Sequence, residues 1–277
     1  MAELIRVSYS SLRTFQTCPR MYYWSYVRRL KPVGRQVALE FGSAWHAGLS
    51  ALFKTQALNP AIDTFNAHFE DTRDDAMRTQ ATAKRMLTRY AEKYPFDDLT
   101  LVADERWLEV PIAGQALYVM KIDKLLTWHD EPIIMEHKTT SGYAGISAGY
   151  LKQFRPSLQL RGYTYGVQTL INSAYRKVLV DIAWVGKGEP KSGEGFLRYE
   201  EPIEGWELKE FEELVPKLAT QIAWREDKFE NFEPNWSMCT QYGECAYRRL
   251  CSAAPSIRER EIAEAYEVKP VREEEGT

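Results

Sequence analysis

The stretch Gln115–Thr140, QALYVMKIDKLLTWHDEPIIMEHKTT, constrains the fold more than any other part of the chain. Two apolar, β-rich runs, Ala116–Trp128 and Pro132–Lys138, flank the turn-forming cluster His129-Asp130-Glu131-Pro132, so the stretch predicts a β-hairpin. Side chains alternate along a strand, which puts Glu136 and Lys138 on one face and His137 on the other. If the strands pair across Asp130, the lone acid of the first run, Asp123, lies opposite Glu136. Two carboxylates and an amine then meet at one edge of an otherwise greasy sheet.

Such an arrangement needs compensation. Neighbouring carboxylates repel, so one binds a proton or the pair shares a cation. Oxygen ligands at this spacing suit Mg²⁺ or Mn²⁺, and a lysine beside them can orient or help to deprotonate a water. The triplet by itself is weak, because Glu-x-Lys recurs at Glu189, Glu207 and Glu267. A surface hairpin with a cross-face salt bridge fits these residues equally well. Only Glu136, however, follows a buried-type strand and has an isolated acid upstream.

Around the hairpin the chain alternates helices and strands. Ser8–Val27 reads as two short helices, with Ser8 or Ser10 as a cap and Pro19 in the first turn of the second. Its aromatics, among them Tyr9, Phe15, Tyr22, Tyr23, Trp24 and Tyr26, interleave with Arg13, Arg20, Arg28 and Arg29. That mixture suits single-stranded nucleic acid, and it equally describes core aromatics with solvated arginines. Val37–Phe53 predicts a helix with a stripe of Phe41, Trp45, Leu49, Leu52 and Phe53. His46 sits beside that stripe, one turn from Gly42 and from Ser50. Residues 57–96 read as a helical insertion or cap, where Lys84, Arg85 and Arg89 line either a DNA path or a solvated face. Leu101–Ile112 predicts a strand whose Glu105 and Glu109 are peripheral.

Beyond Thr140 a small-residue loop, 141–149, leads into a predicted long helix, Ala148–Ile171. Gln159 and Tyr163 share its face, and Arg155 extends that line one turn earlier. Lys177–Gly186 and Phe196–Tyr199 read as strands around a flexible turn, and Trp206–Phe229 as a helix carrying Pro216. Cys239, Cys245 and Cys251 follow in CTQYGECAYRRLC. Two equal gaps without Cys-x-x-Cys argue against a zinc knuckle. Cys18 is the natural fourth ligand, since the chain has four cysteines in all. Four thiolates can hold a [4Fe–4S] cluster, with zinc as the alternative.

Composition matters here for what it excludes. A net charge of −3 does not announce a nucleic-acid binder. The distribution says more: residues 1–40 hold seven Lys/Arg against two Glu, and 256–277 hold seven Glu against four Lys/Arg. With no signal peptide or apolar run of membrane length, a cytoplasmic protein is expected, in which disulfides are disfavoured. The residues after Pro255 form a charged tail, 256–277, read as a short helix that fades out.

Asp123, Glu136-x-Lys138 and the pair Gln159 and Tyr163 resemble the PD-(D/E)XK nuclease superfamily. Within it the chain is similar to the RecB-like branch that adds an iron–sulfur cluster, as in CRISPR-adaptation and phage exonucleases. The resemblance spans Ser8 to Cys251, and Cys18-Pro19 and the Gly42-x-x-x-His46 helix match it too. It departs at Met120, where glycine is usual, and in a wider cysteine spacing. The resemblance implies an α/β fold with a mixed central sheet flanked by helices, a restriction-endonuclease-like core. One nuclease domain, 1–255, would carry the 57–96 insertion and an iron–sulfur staple from Cys18 and 239–251. It implies a metal-dependent DNA nuclease, in particular an exonuclease acting on ends or single strands. His46, Asp123, Glu136 and the His137 carbonyl would hold Mg²⁺ or Mn²⁺. Lys138 would activate water, and Gln159 and Tyr163 would organise the phosphate. Cys18, Cys239, Cys245 and Cys251 would bind [4Fe–4S]. DNA is the expected partner, together with recombination, repair or CRISPR-adaptation proteins, and no membrane. A non-catalytic DNA-binding subunit of such a complex, and a zinc-stapled interaction domain, are the alternatives.

Overall fold

The protein is described by a computed structural model over residues 4–95, 99–142, 145–191, 194–241 and 244–270. Along the chain run β1 (Ile5–Ser8), α1 (Tyr9–Thr17), α2 (Pro19–Tyr22), β2 (Leu30–Pro32), α3 (Val37–Thr55), α4 (Leu58–His68) and α5 (Gln80–Lys93). Then come β3 (Leu99–Ile112), β4 (Ala116–Trp128), β5 (Glu131–Thr140), α6 (Ala148–Leu151), α7 (Leu158–Leu170), β6 (Lys177–Trp184) and β7 (Phe196–Pro202). The last elements are α8 (Gly205–Ala223), α9 (Arg248–Ser252), α10 (Arg258–Ala265) and β8 (Tyr266–Val268). The fold is mixed α/β, and the chain divides into two compact units. One comprises Met1–Gly34, Glu109–Val119 and Glu212–Thr277, and the other Arg35–Leu108 and Met120–Phe211.

In the unit built from Arg35–Leu108 and Met120–Phe211, β4 pairs antiparallel with β5, Trp128 opposite Glu131 and Lys124 opposite Met135. The turn between them has two residues, His129 (φ 48°) and Asp130 (φ 63°), both left-handed. A tight turn of this hand matches the natural twist of the strands, and so fixes the register. β5 runs parallel to β6, with Glu136 opposite Val180, and β6 is antiparallel to β7. A parallel pair needs a crossover, which α6 and α7 provide. Helix α3 packs on β5 and α7 on β6, so the mixed sheet is flanked by helices. The predicted stripe on α3 is wholly buried: Phe41, Trp45, Leu49, Leu52 and Phe53 join Phe65, Leu87 and Tyr90 from α4 and α5 in one core. Each side chain of that size contributes about 1.5–3 kcal/mol by leaving water. Helices α4 and α5 are therefore structural members of this unit, and residues 69–79 between them are not helical.

The helix predicted over Ala148–Ile171 is broken. α6 passes into a 3₁₀ turn, Lys152–Phe154, and α7 starts afresh with the Ser157 hydroxyl accepting from Leu160 N. Pro156 explains the break: it lacks an N–H and disfavours helical geometry at Arg155, which is extended (φ −143°, ψ 112°). Arg155 thus leaves the Gln159 line and pairs with Glu201 instead.

The other unit, taken by itself, pairs β1 parallel with Ala116–Val119 of β4. Ser8 and Ser11 cap α1 reciprocally, and Pro19 opens α2, which continues as a π turn, Tyr23–Val27. The dense aromatics are mostly core: Phe15, Tyr22, Tyr23 and Trp24 are buried and pack edge-on or stacked with Tyr26, Phe229 and Phe232. Of the arginines, Arg20 lies 3.6 Å over the Phe229 ring, and Arg28 pairs with Glu259. The N-terminal segment therefore uses this chemistry internally. α8 ends at Ala223 rather than Phe229, and Phe229–Asn231 is a separate 3₁₀ turn. The expected fading tail instead has α10 and then β8, which pairs antiparallel with β2. Residues 271–277 of that tail lie outside the described residues. Among the described residues no helix is long and apolar enough to cross a membrane.

Candidate active site

The hairpin brings Asp123 and Glu136 together one step beyond the last paired residues, Lys124 and Met135. There the Asp123 side chain replaces the strand's own backbone: its Oδ2 accepts from His137 N at 2.8 Å. Its Oδ1 lies 3.3 Å from Nδ1 of His46 on α3. Glu136 Oε1 accepts from Lys138 Nζ and, at 2.8 Å, from Gln159 Nε2 on α7. Gln159 Nε2 also lies 2.8 Å from the Tyr163 hydroxyl, one turn along, as their four-residue spacing requires. Strand alternation, the new start of α7 and the α3 stripe thus converge six predicted residues, His46, Asp123, Glu136, Lys138, Gln159 and Tyr163. Gly42, one turn before His46, faces Thr139, where an added Cβ would stand 3.5 Å from the hydroxyl.

The site is charged, and its two carboxylates are buried. Asp123 is 9% exposed and Glu136 2%. Burial, and then the charge of Asp123, push the Glu136 carboxyl up to about 7, against the pull of Lys138. Burial works the same way on Asp123, but the charge and hydrogen bond of His46 outweigh it and hold that carboxyl far below the usual range. Burial likewise opposes a charged His46, and Asp123 more than offsets it, so that imidazole is raised. One anion and one proton-holding acid side by side is the expected state of two crowded carboxylates.

Among the described residues no three His, Cys, Asp or Glu side chains are arranged to hold a metal ion as they stand. The donors nonetheless fit one. Glu136 Oε2 is buried and has no hydrogen-bond partner, an acceptor left open inside the site. With Asp123 beside it and an imidazole on the flank, the set is two oxygens and a nitrogen, which suits Mg²⁺ or Mn²⁺.

Strand alternation places the His137 ring as expected, whereas its partner Asp181, the Lys124–Asp104 pair and Tyr150 were not anticipated. His137, fully buried, turns its ring away from Glu136 and places Nδ1 2.6 Å from Asp181 Oδ2 on β6. Asp181 was visible in the sequence by the signal that marks Asp123, a lone acid inside an apolar strand. Lys124 is 1% exposed and pairs at 3.0 Å with Asp104, which also accepts from Ser50 and pairs with Lys54. The Tyr150 phenol is raised by burial and senses Lys138 and Glu136. Of the basic residues proposed for a DNA path, Arg85 donates to the Gly186 carbonyl and Arg89 pairs with Glu189, while Lys84 is exposed. Glu105 pairs with Lys121 and Glu109 with Arg6.

The four cysteines all belong to the other unit and none forms a disulfide. Cys18 precedes α2, Cys239 ends a 3₁₀ turn, Cys245 lies in a loop and Cys251 is on α9. Burial raises the Cys245 and Cys251 thiols; Cys245 also senses Cys239 and Cys18, and Cys251 senses Cys245 and Cys18. Coulombic coupling reaches well past the ~2.3 Å of a metal–sulfur bond, so gathered thiols need not stand at ligand distance. Around them, Asn235 N donates to Cys18 Sγ at 3.3 Å, and the Cys245 N–H bonds to the Cys239 carbonyl. The buried Trp24 indole N–H, which acts on Cys251, has no acceptor at hydrogen-bonding geometry.

A crystal structure of a candidate exonuclease from Eubacterium rectale is similar to this chain, with a TM-score of 0.54 at 14% identity. The match covers 90% of this chain and 89% of that one, and at this identity it bears on the fold alone. The structure of SSO0001 matches at 15% identity over 91% of this chain and 89% of its own, with a TM-score of 0.42, too low to weigh. No curated protein matches the sequence. The family model of the PD-(D/E)XK nuclease superfamily matches residues 6–252, a span that contains every residue of the hairpin site and all four cysteines. An acid on one strand, an acid and a lysine two apart on the next, and an α/β fold that presents them together place this chain in the PD-(D/E)XK nuclease superfamily.

Proposed function

We propose that this nuclease is a metal-dependent deoxyribonuclease that hydrolyses phosphodiester bonds from DNA ends or in single strands. His46, Asp123, Glu136 and the His137 carbonyl would hold Mg²⁺ or Mn²⁺, which when bound stabilises charge on the phosphoryl oxygens and acidifies water. The chain's own groups do the rest. Asp123 keeps its negative charge at neutral pH, held by His46 and the His137 N–H. Lys138, anchored on Glu136, would orient the attacking water and stabilise the hydroxide, the proton leaving to solvent. Gln159 and Tyr163, bonded to each other, position the phosphate from α7. One observation carries the reading: Glu136 is buried with two donors on one oxygen and none on the other. An exonuclease activity accords with the description of the similar Eubacterium rectale protein.

In the cysteine-bearing unit, Cys18, Cys239, Cys245 and Cys251 would hold a [4Fe–4S] cluster acting as a structural clamp, the arrangement that the resemblance to the RecB-like branch implies. Recombination, repair or CRISPR-adaptation proteins are the fitting partners. The test is anaerobic purification followed by cleavage of end-labelled single- and double-stranded DNA with Mg²⁺ or Mn²⁺. Metal-dependent cleavage by the parent, absent in Glu136→Gln, and about four iron and four sulfide per chain are expected. Equal cleavage by both proteins would end the active-site assignment. Zinc in place of iron would end the cluster assignment.

A further inference from the structure

Behind the acidic face lies a second, fully buried polar group that the chemistry above does not use. Asp181, in the middle of β6 and 2% exposed, accepts three hydrogen bonds from three different elements. Its Oδ2 takes the Tyr90 hydroxyl of α5 at 2.5 Å and the His137 ring at 2.6 Å; its Oδ1 takes Arg198 Nε of β7 at 2.9 Å. Arg198 closes the set by donating to the Tyr90 oxygen at 2.6 Å, and its guanidinium stacks 3.8 Å over Tyr94. Because the carboxylate only accepts, the His137 proton sits on Nδ1. Burial and Lys124 keep the imidazole neutral at ordinary pH.

His137 is therefore gripped at two points. Its ring is held by Asp181, while its peptide N–H is the group that Asp123 Oδ2 accepts from. Its chain neighbours are Glu136 and Lys138. β5 stays paired with β6 through Thr140, but its pairing with β4 stops at Lys124 and Met135. Beyond that point β4 and β5 are joined through the Asp123 side chain.

We infer that Asp181 is a positioning residue for the nuclease site: by anchoring the His137 ring it fixes the backbone that sets Asp123, Glu136 and Lys138 in mutual geometry. Tyr90 and Arg198 hold Asp181 in turn, Arg198 supplying the countercharge that a buried carboxylate requires. The inference rests on the proposed metal-dependent active site, and supported sites of this kind lose roughly ten- to a hundredfold in metal affinity when an outer partner is removed.

The experiment measures Mn²⁺ binding by calorimetry, and the Mn²⁺ concentration for half-maximal cleavage, in five proteins: parent, Asp181→Asn, His137→Phe, the double variant, and Phe65→Leu. Phe65 is a buried core residue and serves as a plain destabiliser. Asp181→Asn and His137→Phe should each raise the half-saturating Mn²⁺ about tenfold. The double variant should be no worse than the poorer single one, because both remove the same support. Phe65→Leu should melt earlier at unchanged half-saturation. If the two single effects multiply in the double variant, or if neither shifts Mn²⁺ binding, the positioning role is overturned. Should Asp181→Asn fail to fold, His137→Phe decides alone, for it keeps the peptide N–H and a ring of similar size while removing the anchored ring nitrogen along with the unbonded one. A parent that neither binds Mn²⁺ nor cleaves would instead refute the active-site reading on which this one stands.

Discussion

The acidic site and the cysteine site gather comparable numbers of ligand-type side chains, yet they are built in opposite ways. Asp123, Glu136 and Lys138 sit on long strands whose register is set by a two-residue turn, and nearly every polar atom has a hydrogen-bond partner within the chain. Cys239, Cys245 and Cys251 sit on a 3₁₀ turn, a loop and a five-residue helix. A helix that short has no stability of its own. On the function proposed above, the first site would exist before its metal and the second would be completed by its cluster. The first is preorganised at a cost in electrostatic repulsion, and the second supplies soft ligands that depend on what they bind.

The largest effect expected from this contrast is on cleavage. Glu136→Gln, Asp123→Asn and Lys138→Ala should each reduce single-turnover cleavage by about a thousandfold or more. The Glu136→Gln protein should melt no earlier than the parent, because relieved repulsion offsets the lost charge pair. A marked loss of melting temperature would show that this site, too, is a clamp.

Next in size is the reverse experiment. Cys18→Ser and Cys245→Ser should each lose iron and lower stability by up to about 5 kcal/mol, the entropy of closing a loop of more than two hundred residues. If Cys18→Ser keeps full iron and the parent's melting temperature, the N-terminal cysteine is outside the clamp and the comparison narrows to three ligands.

A smaller effect is expected at His46. His46→Ala should raise the half-saturating Mn²⁺ about tenfold, with cleavage recovering at high Mn²⁺. A core role would lower the melting temperature and leave the metal dependence unchanged.

The smallest is a pH effect on the metal-free protein. The Glu136 carboxyl, raised from 4.5 to about 7, stabilises the fold while protonated. That contribution is complete below the unfolded value and is lost as pH rises through about 7. His46, also raised, acts in the same direction, whereas Asp123, held low, loses its contribution only in acid. Metal-free protein should therefore melt a few degrees lower at pH 8 than at pH 5.5, and Mn²⁺ should narrow the gap by replacing the proton. A gap unchanged by Mn²⁺ would separate the titrating group from the metal.

Much of the acidic site could be read from residue order, because strand alternation and helix period are local rules. Glu136 and Lys138 on one face, and Gln159 and Tyr163 one turn apart, followed from spacing alone. The break at Pro156 was also written locally, and the apolar positions on either side of it obscured it. Asp181 was overlooked for a different reason: a lone acid in a strand shows only that it needs partners, and Tyr90 and Arg198 come from distant elements. The β8 strand that pairs with β2 was hidden in the same way, since a three-residue run is too short to show a pattern until its partner is known.

The turn at His129 and Asp130 has a consequence for how such a gene can change. A residue inserted in the turn itself gives up that turn's hold on the register, but it lengthens only a surface loop, and the buried face of β5 still favours Trp128 opposite Glu131. A residue inserted between Glu131 and Met135 moves every later side chain to the opposite face, so that the Met135 thioether would replace the carboxylate at the site, His137 would replace Lys138, and Glu136 and Lys138 would face away from it. For those few codons, length is under stricter inheritance than spelling: an apolar exchange such as Ile to Val at Ile133 or Ile134 costs about 0.5–1.5 kcal/mol, whereas one added or lost residue reverses the whole face.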